Sequence, residues 1–136
     1  MFRRIDERVL VAGQITANDL EAAKAEGVTM IVNNRPDGEE PGQPSSEEME
    51  TAAQATGLEY RHIPVGSGYS ANQVQAMGEA LDAAEGPVLA FCRSGTRSTF
   101  LWALARAQKG DDAEALTRKA AGAGYDLTPI SGFLQR

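Results

Sequence analysis

The chain is poor in the residues from which disulfide and metal sites are made. Its 136 residues hold one cysteine, Cys92, one histidine, His62, and one tryptophan, Trp102. A single cysteine excludes an internal disulfide and an internal resolving thiol, so redox turnover would need an external thiol. His62 has no cysteine or carboxylate partner at ligand spacing, which leaves it a structural role and gives no metal site and no cofactor motif. Cations are scarce as well. Thirteen Lys and Arg against 19 Asp and Glu give a net charge of −6, which argues against nucleic acid or an anionic membrane as partner, because both reward clustered cations. No apolar run approaches the about 18 residues of a membrane span, and the first residues lack a signal-peptide stretch, so a cytoplasmic location is expected. The length suits one domain over residues 1–136 with a real core.

Periodicity and punctuation divide the chain into alternating elements. Residues 8–12, 28–32, 58–65 and 87–91 read as strands, the last of them short and buried. Helices follow: one capped by Thr16 and ended by Gly27, one opened by the capping box of Ser45 and Glu48 and ended by Gly57, and one capped by Ser70 with Val74, Met77 and Leu81 on a stripe. A helix over residues 98–105 buries Phe100 and Trp102, a later one starts at Asp111 or Asp112, and Thr128 with Pro129 opens a short terminal helix. The stretch from Asp37 to Pro44 is a long polar loop, and its Asp37, Glu39 and Glu40 are expected to form a solvated rim. Such alternation predicts a three-layer α/β/α fold around a mostly parallel sheet. Ligands of such sheets bind beyond the carboxyl ends of the strands, which gathers the loops at Arg35, Gly66 and Cys92 at one edge.

The chemistry is concentrated after the fourth of these strands. Cys92, Arg93, Ser94, Gly95, Thr96, Arg97 and Ser98 lie between a buried strand and a helix. Backbone N–H groups and the positive end of the helix cradle an anion at such a place, and the same field favours a thiolate. Arg97 would complete the cradle as a fork donor, Gly95 suits a tight point that needs positive φ, and Arg93 faces either the cradle or solvent. A lone cysteine after a strand is commonly a small buried hydrophobe. Two arginines, a glycine and three hydroxyls within seven residues favour a nucleophile instead. Arg35, Asp37 and Tyr69 are further candidates for substrate binding. Against those roles stand an exposed loop arginine, a turn-forming Asp between Pro and Gly, and a tyrosine that packs beside the next helix.

Two segments carry a resemblance. Asn33 to Glu39 and Phe91 to Ser98, with Tyr60 to Val65 between them, resemble the dual-specificity branch of the cysteine phosphatase fold, and more closely the phosphatase-like domain of beta-lactamase hydrolase-like proteins, over about residues 1–110. Members of that family are described either as phosphatases or as sulfurtransferases, some fused to a persulfide dioxygenase, so the resemblance implies a bacterial protein handling sulfide or persulfide. Two departures from the phosphatase pattern steer the expectation. Only four residues separate Cys92 from Arg97, the spacing of rhodanese-like loops, where phosphatases of this fold have five. The stretch from Gly66 to Ser70 also has no carboxylate where related phosphatases place an acid, and an acid contributes about 10²–10⁴ to alkoxide expulsion. Sulfite leaves without a proton.

The expected activity is therefore a sulfurtransferase. Cys92 would attack a sulfane sulfur of thiosulfate or a persulfide, Arg97 would hold the departing anion, and a thiol acceptor or cyanide would clear the Cys92 persulfide. Partners would be a small sulfur-containing anion, a thiol and, through the family, a persulfide dioxygenase. The alternatives are a cysteine-dependent phosphatase acting through a phosphocysteine and a non-catalytic module that binds an anion or persulfide.

Overall fold

The computed structural model describes residues 2–134. Five strands form one sheet: β1 (Arg3–Arg4), β2 (Val9–Ala12), β3 (Met30–Asn33), β4 (Glu59–His62) and β5 (Val88–Phe91), in the order β1-β2-β5-β3-β4. The pairs β2–β5, β5–β3 and β3–β4 are parallel, and only β1 runs antiparallel, at the β2 edge. Two residues are too few to show a period, which is why β1 was not visible in the sequence.

Alternation along the strands divides the core in two. Leu10, Ala12, Ile31, Leu89 and Phe91 point to one face, against Leu20 and Ala23 of α1 (Ala17–Ala25) and Met49 and Ala53 of α2 (Ser46–Thr56). Val9, Val11, Met30, Val32, Val88 and Ala90 point to the other. There they meet α3 (Ala71–Ala83), α4 (Thr96–Gln108), α5 (Ala113–Gly122) and α6 (Ser131–Leu134), the last preceded by a 3-10 turn at Thr128–Ile130. The expected three-layer α/β/α architecture is the observed one. Trp102 is fully buried in the second core, where its indole N–H donates to Asp6 Oδ2 at 3.0 Å.

Local chemistry sets the helix ends. Ser45 Oγ accepts from Glu48 N while Glu48 Oε1 accepts from Ser45 N, and Ser70 and Gln73 repeat the arrangement at α3. Gly57 ends α2 in the left-handed region at φ 86°, which costs a glycine little. Asp112, one of the two aspartates expected there, caps α5. The strand expected over 58–65 is shorter as a ladder, yet Ile63 N and Val65 N still donate to Asn33 O and Asn34 O beyond it. That extension brings the carbonyl of Val65 to the carboxyl edge, beside the loop that follows β5.

Candidate active site

The loop after β5 is held on three sides. Cys92 N donates to Ala12 O, Arg93 O accepts from Gln14 N, and Ser94 O accepts from the Tyr125 hydroxyl. Gly95 turns the chain at φ 93° and is the residue before the first turn of α4. A Cβ there would collide with the Tyr125 hydroxyl, so both backbone conformation and space demand glycine. The turn aims Gly95 N–H at Cys92 Sγ, 3.1 Å away, with the thiol buried at the base of the loop. Arg97 and Ser98 fall in the first turn of α4, where backbone N–H groups have no intrahelical acceptor and the helix presents its positive end.

Arg97 is the expected fork donor, and most of its fork is occupied. Its Nη1 donates to Glu39 Oε2 at 2.7 Å and to Val65 O at 2.7 Å, and its Nη2 donates to Glu39 Oε1 at 2.8 Å. Its pKa is raised, chiefly by the hydrogen bond to Glu39, with the charge of Cys92 adding to it. The Arg97 bond is also the main reason that the Glu39 pKa is lowered to about 2, with Arg35 adding to it.

The sequence reading of the remaining residues needs correction in three places. Arg35 is not an exposed loop arginine aimed at substrate. It is 1% exposed, and its Nε, Nη1 and Nη2 donate to Glu39, Gln14 and Glu40 at 2.9, 2.9 and 3.0 Å. Glu39 stands on the exposed rim, as expected, and there it also bridges Arg35 and Arg97. Ser98 does not offer its hydroxyl to the cradle, because its Oγ is buried and donates to Asn34 Oδ1 at 2.8 Å. Asp37 is spent on structure, its Oδ1 accepting from Ser46 N at 2.7 Å beside the start of α2.

Other expectations stand closer to the geometry. Arg93 is the solvent-side arginine, 65% exposed and 3.7 Å from Glu40. Ser94 and Thr96 flank the turn, with Ser94 Oγ donating to Thr96 Oγ1 at 3.1 Å. Tyr69 both packs and lines a wall. Its ring tilts against Phe100 at 6.2 Å, and it borders a groove of about 560 Å3 with Val74, Leu104, Ile130 and Phe133. Burial raises the Tyr69 pKa, and the charge of Cys92 adds to that. His62 Nε2 donates to the Arg35 carbonyl at 3.0 Å, which is a structural role. Gln14, Asn34, Glu39 and Tyr125 were not singled out as site residues. Each acts through a partner 20 or more residues away in sequence, and only the unusual run Asn33, Asn34, Arg35 hinted at a built loop.

Comparison with known proteins bears on the reaction. The family described as "Beta-lactamase hydrolase-like protein, phosphatase-like domain" matches residues 1–109. The beta-lactamase hydrolase-like protein of Agrobacterium fabrum is 38% identical over 98% of this chain, which spans only 31% of that protein's length. A candidate phosphatase from Neisseria meningitidis is 32% identical, covering 98% of this chain and 95% of its own, with a TM-score of 0.85. P. aeruginosa TpbA, solved in complex with phosphotyrosine, shares the fold at 18% identity and a TM-score of 0.68, over 97% of this chain and 79% of its own.

These findings overturn the expectation of a rhodanese-type sulfurtransferase, since the family and the solved relatives point to cysteine-based phosphatases. The physical reason is that the two departures were poor discriminators. The four-residue spacing describes how tightly Gly95 turns the loop, and a missing acid limits the leaving group without changing what the nucleophile attacks. Among the described residues no helix is long and apolar enough to cross a membrane. A fold, a nucleophile loop and a family match over residues 1–109 agree: the chain belongs to the phosphatase-like domain family of the beta-lactamase hydrolase-like proteins.

Proposed function

We propose that this domain is a cysteine-dependent phosphatase acting on phosphate monoesters. The observation that carries the reading is the buried Cys92 thiol at the N-terminus of α4, with the Gly95 N–H aimed at its Sγ at 3.1 Å and Arg97 in the helix's first turn. Cys92 as thiolate attacks phosphorus, the P–O bond to the leaving group breaks, and the departing oxygen takes its proton from solvent. Water then attacks the phosphocysteine, releasing inorganic phosphate and restoring the thiolate. Arg97 and the N–H groups of the loop and the first turn of α4 stabilise the oxygens of the transferring group.

No carboxylate sits in the loop from Gly66 to Ser70, Asp37 is engaged by Ser46, and Glu39 stays ionised between two arginines. Without a positioned acid, the rate depends steeply on leaving-group acidity. Aryl phosphates should be turned over about 10²-fold or more faster than alkyl phosphates, the contribution an acid would otherwise supply.

The test is phosphate release from 4-nitrophenyl phosphate by the wild type and by Cys92→Ser, with intact mass of acid-quenched enzyme to detect the phosphocysteine. Cys92-dependent release with a phosphoryl adduct supports the reading. Phosphate binding without release from any aryl ester would replace it with a non-catalytic anion-binding module.

A further inference from the structure

Tyr125 lies beyond residues 1–109 of the family match, yet it reaches the nucleophile loop. Its hydroxyl donates to Ser94 O at 3.1 Å. The carbonyl of Ser94 and the N–H of Gly95 belong to one planar peptide unit, and that N–H donates to Cys92 Sγ at 3.1 Å. The two hydrogen bonds are therefore in series, from hydroxyl to carbonyl and from N–H to sulfur. A donor on the carbonyl oxygen draws electron density from the amide nitrogen and makes its N–H a stronger donor, a cooperative gain of about 10–30% per bond. A stronger donor to sulfur favours the thiolate over the thiol.

Tyr125 is placed by contacts of its own. Ala123 is the C-cap of α5, Gly124 turns the chain at φ 94°, and Tyr125 N donates back to Ala120 O. Arg3 of β1 donates from Nη1 to Ala123 O at 2.9 Å, and its guanidinium stands 5.8 Å from the centre of the Tyr125 ring. The ring is half-buried, and its hydroxyl occupies the space into which a Cβ at Gly95 would extend. Burial raises the pKa of that hydroxyl; Arg3 opposes the rise and the charge of Cys92 adds to it. The hydroxyl therefore keeps its proton, and its capacity to donate, across neutral pH. The other groups that face Cys92 are Arg97 from α4, itself paired with Glu39, and Tyr69 from the loop after β4, while Arg93 points to solvent beside Glu40. Tyr125 is the one of them bonded to the peptide that faces the sulfur.

We infer that Tyr125 is a positioning residue for the nucleophile: by donating to Ser94 O it fixes and polarises the peptide whose N–H faces Cys92 Sγ, and so favours the attacking thiolate. The inference rests on the phosphatase reading for its kinetic consequence and on the two hydrogen bonds alone for its effect on sulfur. It gives the end of α5, and the edge strand β1 that holds it, a function in the chemistry of a loop on the other side of the sequence.

The test compares the wild type with Tyr125→Phe, which keeps the ring and removes the donor, and with Tyr125→Ala, which removes both. Thiolate formation is followed against pH by its ultraviolet absorbance, as the difference from the same protein carrying Cys92→Ser, so that tyrosine signals cancel. The chain has one cysteine, so the remaining signal belongs to Cys92. Thermal unfolding and kcat/KM on 4-nitrophenyl phosphate are measured on the same preparations. Tyr125→Phe is expected to move the thiolate midpoint up by about 0.5 pH unit, the share that a cooperative gain represents of a hydrogen bond to a charged group. On the acidic limb kcat/KM should fall by the corresponding factor of about 3 and should approach the wild-type value on the plateau. Tyr125→Ala should move the midpoint by a similar amount and also lower the thermal midpoint. A thiolate midpoint unchanged in Tyr125→Phe, or a loss of kcat/KM equal at every pH, overturns the inference and leaves Tyr125 a support of the fold. A shift confined to Tyr125→Ala overturns it too, because the ring and not the hydroxyl would then be responsible. A wild type that hydrolyses no ester would remove the phosphatase reading, while the absorbance titration would still decide the role of Tyr125.

Discussion

At the scale of single residues, the site depends on a few atoms with no substitutes. Arg97 serves both oxygens of Glu39 and Val65 O from one planar group, and a lysine ammonium cannot distribute its donors over such a fork. Arg97→Lys should keep the charge yet lose about 10²–10³ in kcat/KM, comparable to removing an oxyanion donor; steady-state kinetics on an aryl phosphate check this. Gly95 is equally constrained, by φ 93° and by Tyr125. Gly95→Ala should cost about 1–2 kcal/mol from the left-handed conformation alone, more from the collision, and should abolish turnover. Pairing it with Tyr125→Ala should recover the collision component in thermal unfolding but not the strain. Cys92, Arg97 and Gly95 were legible in the sequence because their chemistry is local: a thiol, a cation and a positive-φ residue within one turn. The orientation of Ser98 and the bridging role of Glu39 were not, because each depends on a contact, Asn34 or Arg97, that lies far away along the chain.

Elements position these residues through their ends. The nucleophile loop follows β5, which is flanked by β2 and β3, so loops from three neighbouring strands supply Gly13 and Gln14, Asn34 and Arg35, and Cys92. Asn34 links them: its N–H donates to Phe91 O, its Nδ2 to Ile63 O, and its Oδ1 accepts from Ser98. The acidic loop between β3 and α2 closes over this edge through Glu39 and Glu40 and is anchored at its far end where α2 begins. Ser45→Ala removes the N-cap acceptor of α2 and should destabilise the protein by about 1 kcal/mol, seen as a lower thermal midpoint. Capping signals were readable because they lie within four residues. What the loop between them would do was not, since its charges looked like ordinary solvent-facing carboxylates until Arg35 was buried behind them.

For the molecule as a whole, the paired charges at this edge make stability depend on pH. The Glu39 pKa is lowered to about 2 from an ordinary 4.5. A carboxylate depressed by folding contributes stability that is fully present above its unfolded pKa and is lost as pH falls through its folded one. The contribution of Glu39 should therefore hold above about pH 4.5 and fade toward pH 2. Denaturant unfolding across that window should show the wild type losing more stability than Glu39→Gln as acid is added. An equal slope for the two proteins would show that the ion pairs contribute little net energy.

By itself the sequence determined the layered α/β class, the helix ends and the place of the Cys92 loop between a buried strand and a helix. All of these follow from periodicity or from chemistry within a few residues. The reaction was misjudged because loop spacing and a missing acid constrain rate and fit, whereas both chemistries use the same thiol and cation. Only the tertiary structure decided the strand order, the antiparallel β1, the burial of Arg35 and the bridge from Glu39 to Arg97. Those depend on which distant segments the sheet brings side by side, and on the cost of burying a guanidinium unless carboxylates close around it.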